Sequence, residues 1–217
     1  VTYDPISFSA IRKANEASFG SAVIPDYNFY DAKVIASLGA DFMNSWLLDT
    51  EYTSKYVDRR KPSGEWMNKH YQVESRMSLT GSNADVRMPI LPSQEGAFEV
   101  ALHNEVAKLT SGSRLSGTSS DGLPMEGITA LAKDLASNRG ECLVISGSND
   151  PDVQVVVNSI NTMLGNYGKT IHTDKEVFLN QGSEESVQQL IKDMKAGKVD
   201  ALIIGSGINP AYSLPNA

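Results

Sequence analysis

Apolar positions recur at helical spacing most plainly in the second half of the chain. Ile128, Leu131, Ala132 and Leu135 follow i, i+3, i+4, i+7. So do Val153, Val156, Val157, Ile160 and Leu164, and again Val187, Leu190, Ile191 and Met194. Each stripe makes one apolar face, as in a helix laid on a sheet. The ends agree. Asp150-Pro151 supplies a cap followed by proline at the first helical position, and Ser183 precedes Glu184 and Glu185. Gly20, Gly140, Gly165 and Gly197 stand where helices should stop.

Three short apolar runs between such helices each end in a glycine turn carrying an amide or a carboxylate. Val34 to Leu38 reach Gly39-Ala40-Asp41, Leu143 to Ile145 reach Gly147-Ser148-Asn149-Asp150, and Ala201 to Ile204 reach Gly205-Ser206-Gly207. The first half further predicts strands at Val1 to Asp4, Tyr71 to Glu74 and Val86 to Ile90. It predicts helices over 7–18, 44–58 and 94–109, the last with Phe98, Ala101, Leu102, Val106 and Leu109 inward. Strand alternating with helix predicts an α/β, Rossmann-like fold: six or seven strands in a mainly parallel sheet, helices on both faces. Gly39, Gly147 and Gly205 then fall at strand C-terminal ends, where ligands of parallel sheets bind. Thr110 to Gly122 is rich in Ser and Gly and reads as an exposed connection between a lobe 1–109 and a lobe 123–217.

The bulk numbers narrow the function. The 217 residues carry a net charge of −7, with 26 acidic against 19 basic side chains, which argues against a duplex nucleic-acid binder. No apolar run approaches the ~20 residues of a membrane span, so no direct membrane insertion is expected. The chain opens at Val1 without Met and stops just after a turn, and it reads as a piece of a longer protein. Arg59-Arg60-Lys61 reads as a solvated helix end. Cys142 opens an apolar run and reads as a core residue. His70, His103 and His172 are isolated from one another, so no metal site is expected; His103 falls on a polar helix face.

Glycine turns beside Asp or Asn suit a nucleotide as well as they suit plain strand-to-helix turns. The sharper fingerprints are missing. Gly205-Ser206-Gly207 has Pro210 where a third glycine belongs, and neither a P-loop nor a G-x-S-x-G elbow occurs.

The order of segments carries more. VIASLGADF, then HYQVESRMSLTGSNADVRMPILPSQEGAFEVAL, then LVISGSNDP with NTMLGNYGKT, then DMKAGKVDALIIGSGINPAYSLP resembles the molybdopterin oxidoreductase catalytic-subunit family. The branch most resembled is the molybdopterin-like half of the fused iron–sulfur subunit of bacterial alternative complex III, a quinol-oxidising membrane assembly. The resemblance implies four dinucleotide-facing loops. Gly39 and Asp41 match the first, Glu74 and Arg76 the second, Ser93 and Glu95 the third, and Gly207 and Asn209 the last; Gly147 closes the remaining strand. This sequence departs from the family at two loops. The first lacks the usual Asn-Pro after its glycine, and the third reads Pro-Ser-Gln-Glu-Gly without the Gly-Thr-Asp. No cysteine cluster or molybdenum ligand is present. The resemblance therefore implies a retained fold with a vacated site: a structural or docking module of a respiratory electron-transfer subunit, without a cofactor of its own. Iron–sulfur clusters would lie elsewhere in the full-length protein. Its partners would be other domains and subunits of a complex at the periplasmic face of the bacterial inner membrane. The alternative is the dinucleotide-binding part of an active molybdopterin guanine dinucleotide enzyme; a weaker third is a free-standing nucleotide-binding enzyme.

Overall fold

The computed structural model describes residues 1–4, 7–116, 119–179, 182–205 and 209–213. Contacts divide the chain into a large unit, Ala10–Val177, and a small one, Val1–Ser9 with Phe178–Ala217.

The large unit is built on four parallel strands: β2 (Val34–Leu38), β3 (Lys69–Glu74), β4 (Val86–Pro89) and β5 (Cys142–Ser146), in the spatial order β4-β3-β2-β5. Pairing is in register, Val34 opposite both Lys69 and Cys142, and Tyr71 opposite Val86. The order runs outward from β2 in one direction and then reverses to β5, which puts the topological switch point between β2 and β5. β1 (Pro25–Tyr27) and β6 (Ile171–Glu176) form a separate antiparallel pair. The α/β, Rossmann-like architecture expected from the pattern is present, with four strands in the parallel sheet rather than six or seven.

One sheet face carries Val34, Ala36, Leu38, Tyr71 and Val73. It is covered by α4 (Glu95–Thr110), α5 (Met125–Ser137) and α6 (Pro151–Leu164) through Phe98, Leu102, Leu131, Leu135, Val157 and Ile160. These stripes are the ones the 3.6-residue period exposes. The opposite face is partly polar. There His70 meets the rings of Phe42 and Tyr56, the latter from α2 (Asp49–Asp58). Phe29, Phe42, Tyr52 and Tyr56 are each at most 2% exposed and make a continuous aromatic layer. Before it, α1 (Ser9–Phe19) buries Ile11 and Ala14.

The free edge of β5 is finished by side chains. The Asn161 amide accepts from the Val144 N–H at 3.2 Å and donates to the Val144 carbonyl at 2.8 Å, copying a neighbouring strand. Thr170 Oγ1 donates to the Cys142 carbonyl at 2.7 Å and Gln154 Nε2 to the Ser146 carbonyl at 3.0 Å. The carbonyl of every second residue along this edge thereby has a side-chain partner.

In the small unit, α7 (Glu184–Lys195) is capped by Ser183, whose hydroxyl accepts from the Ser186 N–H. Its apolar face lines a cavity of about 220 Å3 together with Tyr3, Leu202 and Ile204. Two expected strands are absent among the described residues: neither Val1 to Asp4 nor Ala201 to Ile204 forms a β-strand, although the Thr2 carbonyl accepts from the Ser183 N–H at 3.1 Å. The 44–58 helix begins only at Asp49, because the Asp41 carbonyl takes the N–H groups of Asn44, Ser45 and Trp46 into a tight turn first. His103 is 2% exposed rather than on a polar face, with Nε2 2.9 Å from Ser159 Oγ across the α4–α6 contact.

Candidate functional site

All four parallel strands end on the same side, so the turns that follow β2, β3, β4 and β5 share one rim. Gly39, Asp41, Glu74, Arg76, Ser93, Glu95 and Gly147 lie on it. Gly39 turns the chain at φ +68°, open to glycine without strain. Arg76 and Ser93 are exposed, Ser93 within the short 3-10 turn Pro92–Gln94 that opens α4. Asn209 belongs to the small unit, where its side chain accepts from the Ala211 N–H. Gly207 lies outside the described residues.

The two acids expected to face a ligand turn inward instead. After β3 the chain makes one helical turn, α3 (Leu79–Ser82), whose N-terminal N–H groups need acceptors. Asp41 Oδ1 accepts from the Thr80 N–H at 3.1 Å and the Thr80 hydroxyl at 2.7 Å. Ser78 Oγ accepts from the Gly81 N–H at 2.9 Å. Glu74, 5% exposed, accepts from the Ser78 N–H and hydroxyl at 3.1 and 2.6 Å, from Gln72 Nε2 at 3.2 Å and from Arg87 Nε at 2.7 Å. Burial alone would raise its carboxyl; the Arg87 guanidinium and the Ser78 and Gln72 donors outweigh that and hold it below the ordinary range. Gly81 packs so closely on this carboxylate that a Cβ there would stand 1.9 Å from Glu74 Oε1.

The same carboxylate anchors a polar line along one face of β3. Because Glu74 is ionised, Gln72 must present its amide nitrogen to it and its carbonyl to His70 Nε2, 3.3 Å away. His70 therefore carries its proton on Nε2, and bare Nδ1 lies 3.2 Å from the Tyr56 hydroxyl, whose single proton is shared between this nitrogen and the Asn83 carbonyl at 3.1 Å. Burial drops the His70 pKa to about 4, so the ring is neutral.

At the switch point the rim is closed. The Gly147 N–H donates to the Leu38 carbonyl at 2.8 Å, and a Cβ on Gly147 would lie 2.4 Å from the Gly39 carbonyl oxygen. Beneath Gly39 is a cavity of about 10 Å3, lined by Leu38, Val73, Ile90, Glu95, Phe98 and Glu99, room for at most one water. Glu99 is 2% exposed. Its Oε1 accepts from the Ser146 hydroxyl at 3.0 Å, while Oε2 finds no hydrogen-bond partner among the described residues. Burial pushes this carboxyl up to about 8, opposed by the Ser146 bond and reinforced by Glu95 and Asp150. Glu95 is likewise raised by burial.

Sequence reasoning passed over Glu99, Ser78, Thr80 and Arg87. Glu99 had a signal: it sits on the inward α4 stripe with Leu102, His103 and Val106, the one acid on that face.

A molybdopterin guanine dinucleotide does not fit these residues. Its phosphates need free N–H groups or several basic side chains at the glycine turns, and of the expected rim residues Arg76 alone is basic. The N–H groups of α3 are taken by Asp41, Ser78 and Glu74, and Asp150 caps α6 by accepting from the Asp152 N–H. The crevice itself presents Glu95 and a buried Glu99. No group of three or more His, Cys, Asp or Glu among the described residues is arranged to hold a metal ion. No helix of the described residues is long and apolar enough to cross a membrane. No protein-family model matches this chain, and no curated protein matches it.

Proposed function

We propose that the chain is a molybdopterin oxidoreductase-like domain of a respiratory electron-transfer subunit, serving as a structural docking module with no dinucleotide or molybdenum of its own. One observation carries the role: the acids of the first and second loops, Asp41 and Glu74, are spent on the N-terminus of α3. A rim built for a nucleotide keeps its acceptors for ribose and base hydroxyls and its N–H groups for phosphate. Here both sets satisfy each other, which stiffens the rim as a rigid support. The ordered motifs from VIASLGADF to GSGINPAYSLP support the choice of assembly, a quinol-oxidising complex at the periplasmic face of the bacterial inner membrane.

Calorimetric titration with guanine dinucleotides and with NAD(P), beside metal analysis, tests the role. The expected result is no tight binding and no molybdenum. Sub-micromolar binding, or stoichiometric molybdenum, would overturn it and favour the dinucleotide-binding part of an active enzyme. Co-migration with a membrane quinol-oxidising complex in native electrophoresis tests the assembly separately.

A further inference from the structure

Glu99 takes no part in the clamp around α3, yet it sits where three pieces of the rim meet. Ser146 Oγ donates to Glu99 Oε1 and accepts from the Ser148 N–H at 3.2 Å, so the carboxyl is tied to the turn that holds Gly147. Its other oxygen has no partner among the described residues, and Glu99 lines the cavity under Gly39. A buried carboxylate oxygen with nothing to donate to it is costly; a buried carboxylic acid is far less so. The charged groups acting on it are Glu95, one turn earlier on α4, and Asp150, at the start of α6, and both are acidic. Around the cavity the other facing residues are Leu38, Gly39, Val73, Ile90 and Phe98, so Glu95 is the one further charged group in its lining. From β5 the Ser146 hydroxyl reaches it.

We propose that Glu99 is a proton-binding site that holds the switch-point crevice shut: as the neutral acid it seals the rim, and on ionising it draws in water and parts the Gly39 and Gly147 turns. The cavity admits no more than one water, whereas a carboxylate flanked by two further acids needs several donors. The seam that yields is the one bridged by the Gly147 N–H to the Leu38 carbonyl.

The test uses the 217-residue chain. Carboxyl 13C NMR of the unaltered protein should give Glu99 a midpoint near 8. Amide exchange at Gly147, corrected for base catalysis, should lose roughly tenfold protection between about pH 6 and about pH 9 in the unaltered protein and keep it in Glu99→Gln. A Glu99 midpoint in the ordinary glutamate range overturns the proposal without any variant. So does an equal loss of protection in both proteins.

Discussion

Replacing Glu74 by Gln separates a ligand-facing acid from a structural one. The substitution keeps shape and burial and removes the charge. Four hydrogen bonds end on this carboxylate, one of them from a guanidinium. A hydrogen bond to a charged group contributes about 1.5–3 kcal/mol and a neutral one about 1 kcal/mol. Gln retains one accepting oxygen, so the Ser78 N–H or Arg87 bond survives in neutral form. The other side becomes a donor facing Gln72 Nε2, itself a donor. The net loss is about 3 kcal/mol, or about 6–12 °C in Tm for a unit of this size. The pH dependence adds a second check. The Glu74 pKa is lowered on folding, so its contribution is complete above the ordinary glutamate pKa and is lost as pH falls through the folded value. The gap between the two proteins should be full at pH ~7 and narrow as pH drops below about 4. Urea melts at a series of pH values measure it. A Glu74→Gln protein within about 0.5 kcal/mol of the parent at neutral pH, or a gap that ignores pH, would refute the clamp.

Two further outcomes follow from the same geometry. His70 should give the 15N pattern of a neutral Nε2–H ring and hold it down to about pH 4, the value set by its burial; a Nδ1–H pattern would break the assigned direction of the β3 polar line. Asn161→Ala should cost about 2–4 kcal/mol in thermal or urea unfolding, since it strands both the N–H and the carbonyl of Val144; a cost under about 1 kcal/mol would mean that water replaces the amide freely.

The pattern of apolar positions was sufficient for β2, β3 and β5, which bury nearly a full run, and for α4 to α6, which bury a stripe; β4 and α7 followed it with one buried residue each, Met88 and Val187. β6 (Ile171–Glu176) escaped it: only Ile171 is buried, and HTDKE has no face to read. α3, four residues long, is too short for any period to register. Val1 to Asp4 and Ala201 to Ile204 mislead in the other direction. Local apolar character says that a segment can be a strand, and only an unoccupied edge decides that it is one. The rim residues were legible as residues and not as partners. Asp41 and Glu74 stand at the turns their spacing indicates, but whether a carboxylate faces outward or back onto Ser78 and Thr80 depends on a helical turn 39 residues further on in one case. Glu99 was readable in principle, as the lone acid of the inward α4 stripe.

The side-chain finish on β5 gives the sheet a direction of growth. Polymerising β-structures extend by adding strands to exposed backbone, and at β5 that backbone is spoken for by Asn161, Thr170 and Gln154. β4 is the other terminus, and Pro89 withdraws one donor there. Of the two edges of this parallel sheet, β5 is thus the one whose carbonyls are already engaged. Backbone pairing has no natural stopping point, and an edge finished by side chains is what limits it.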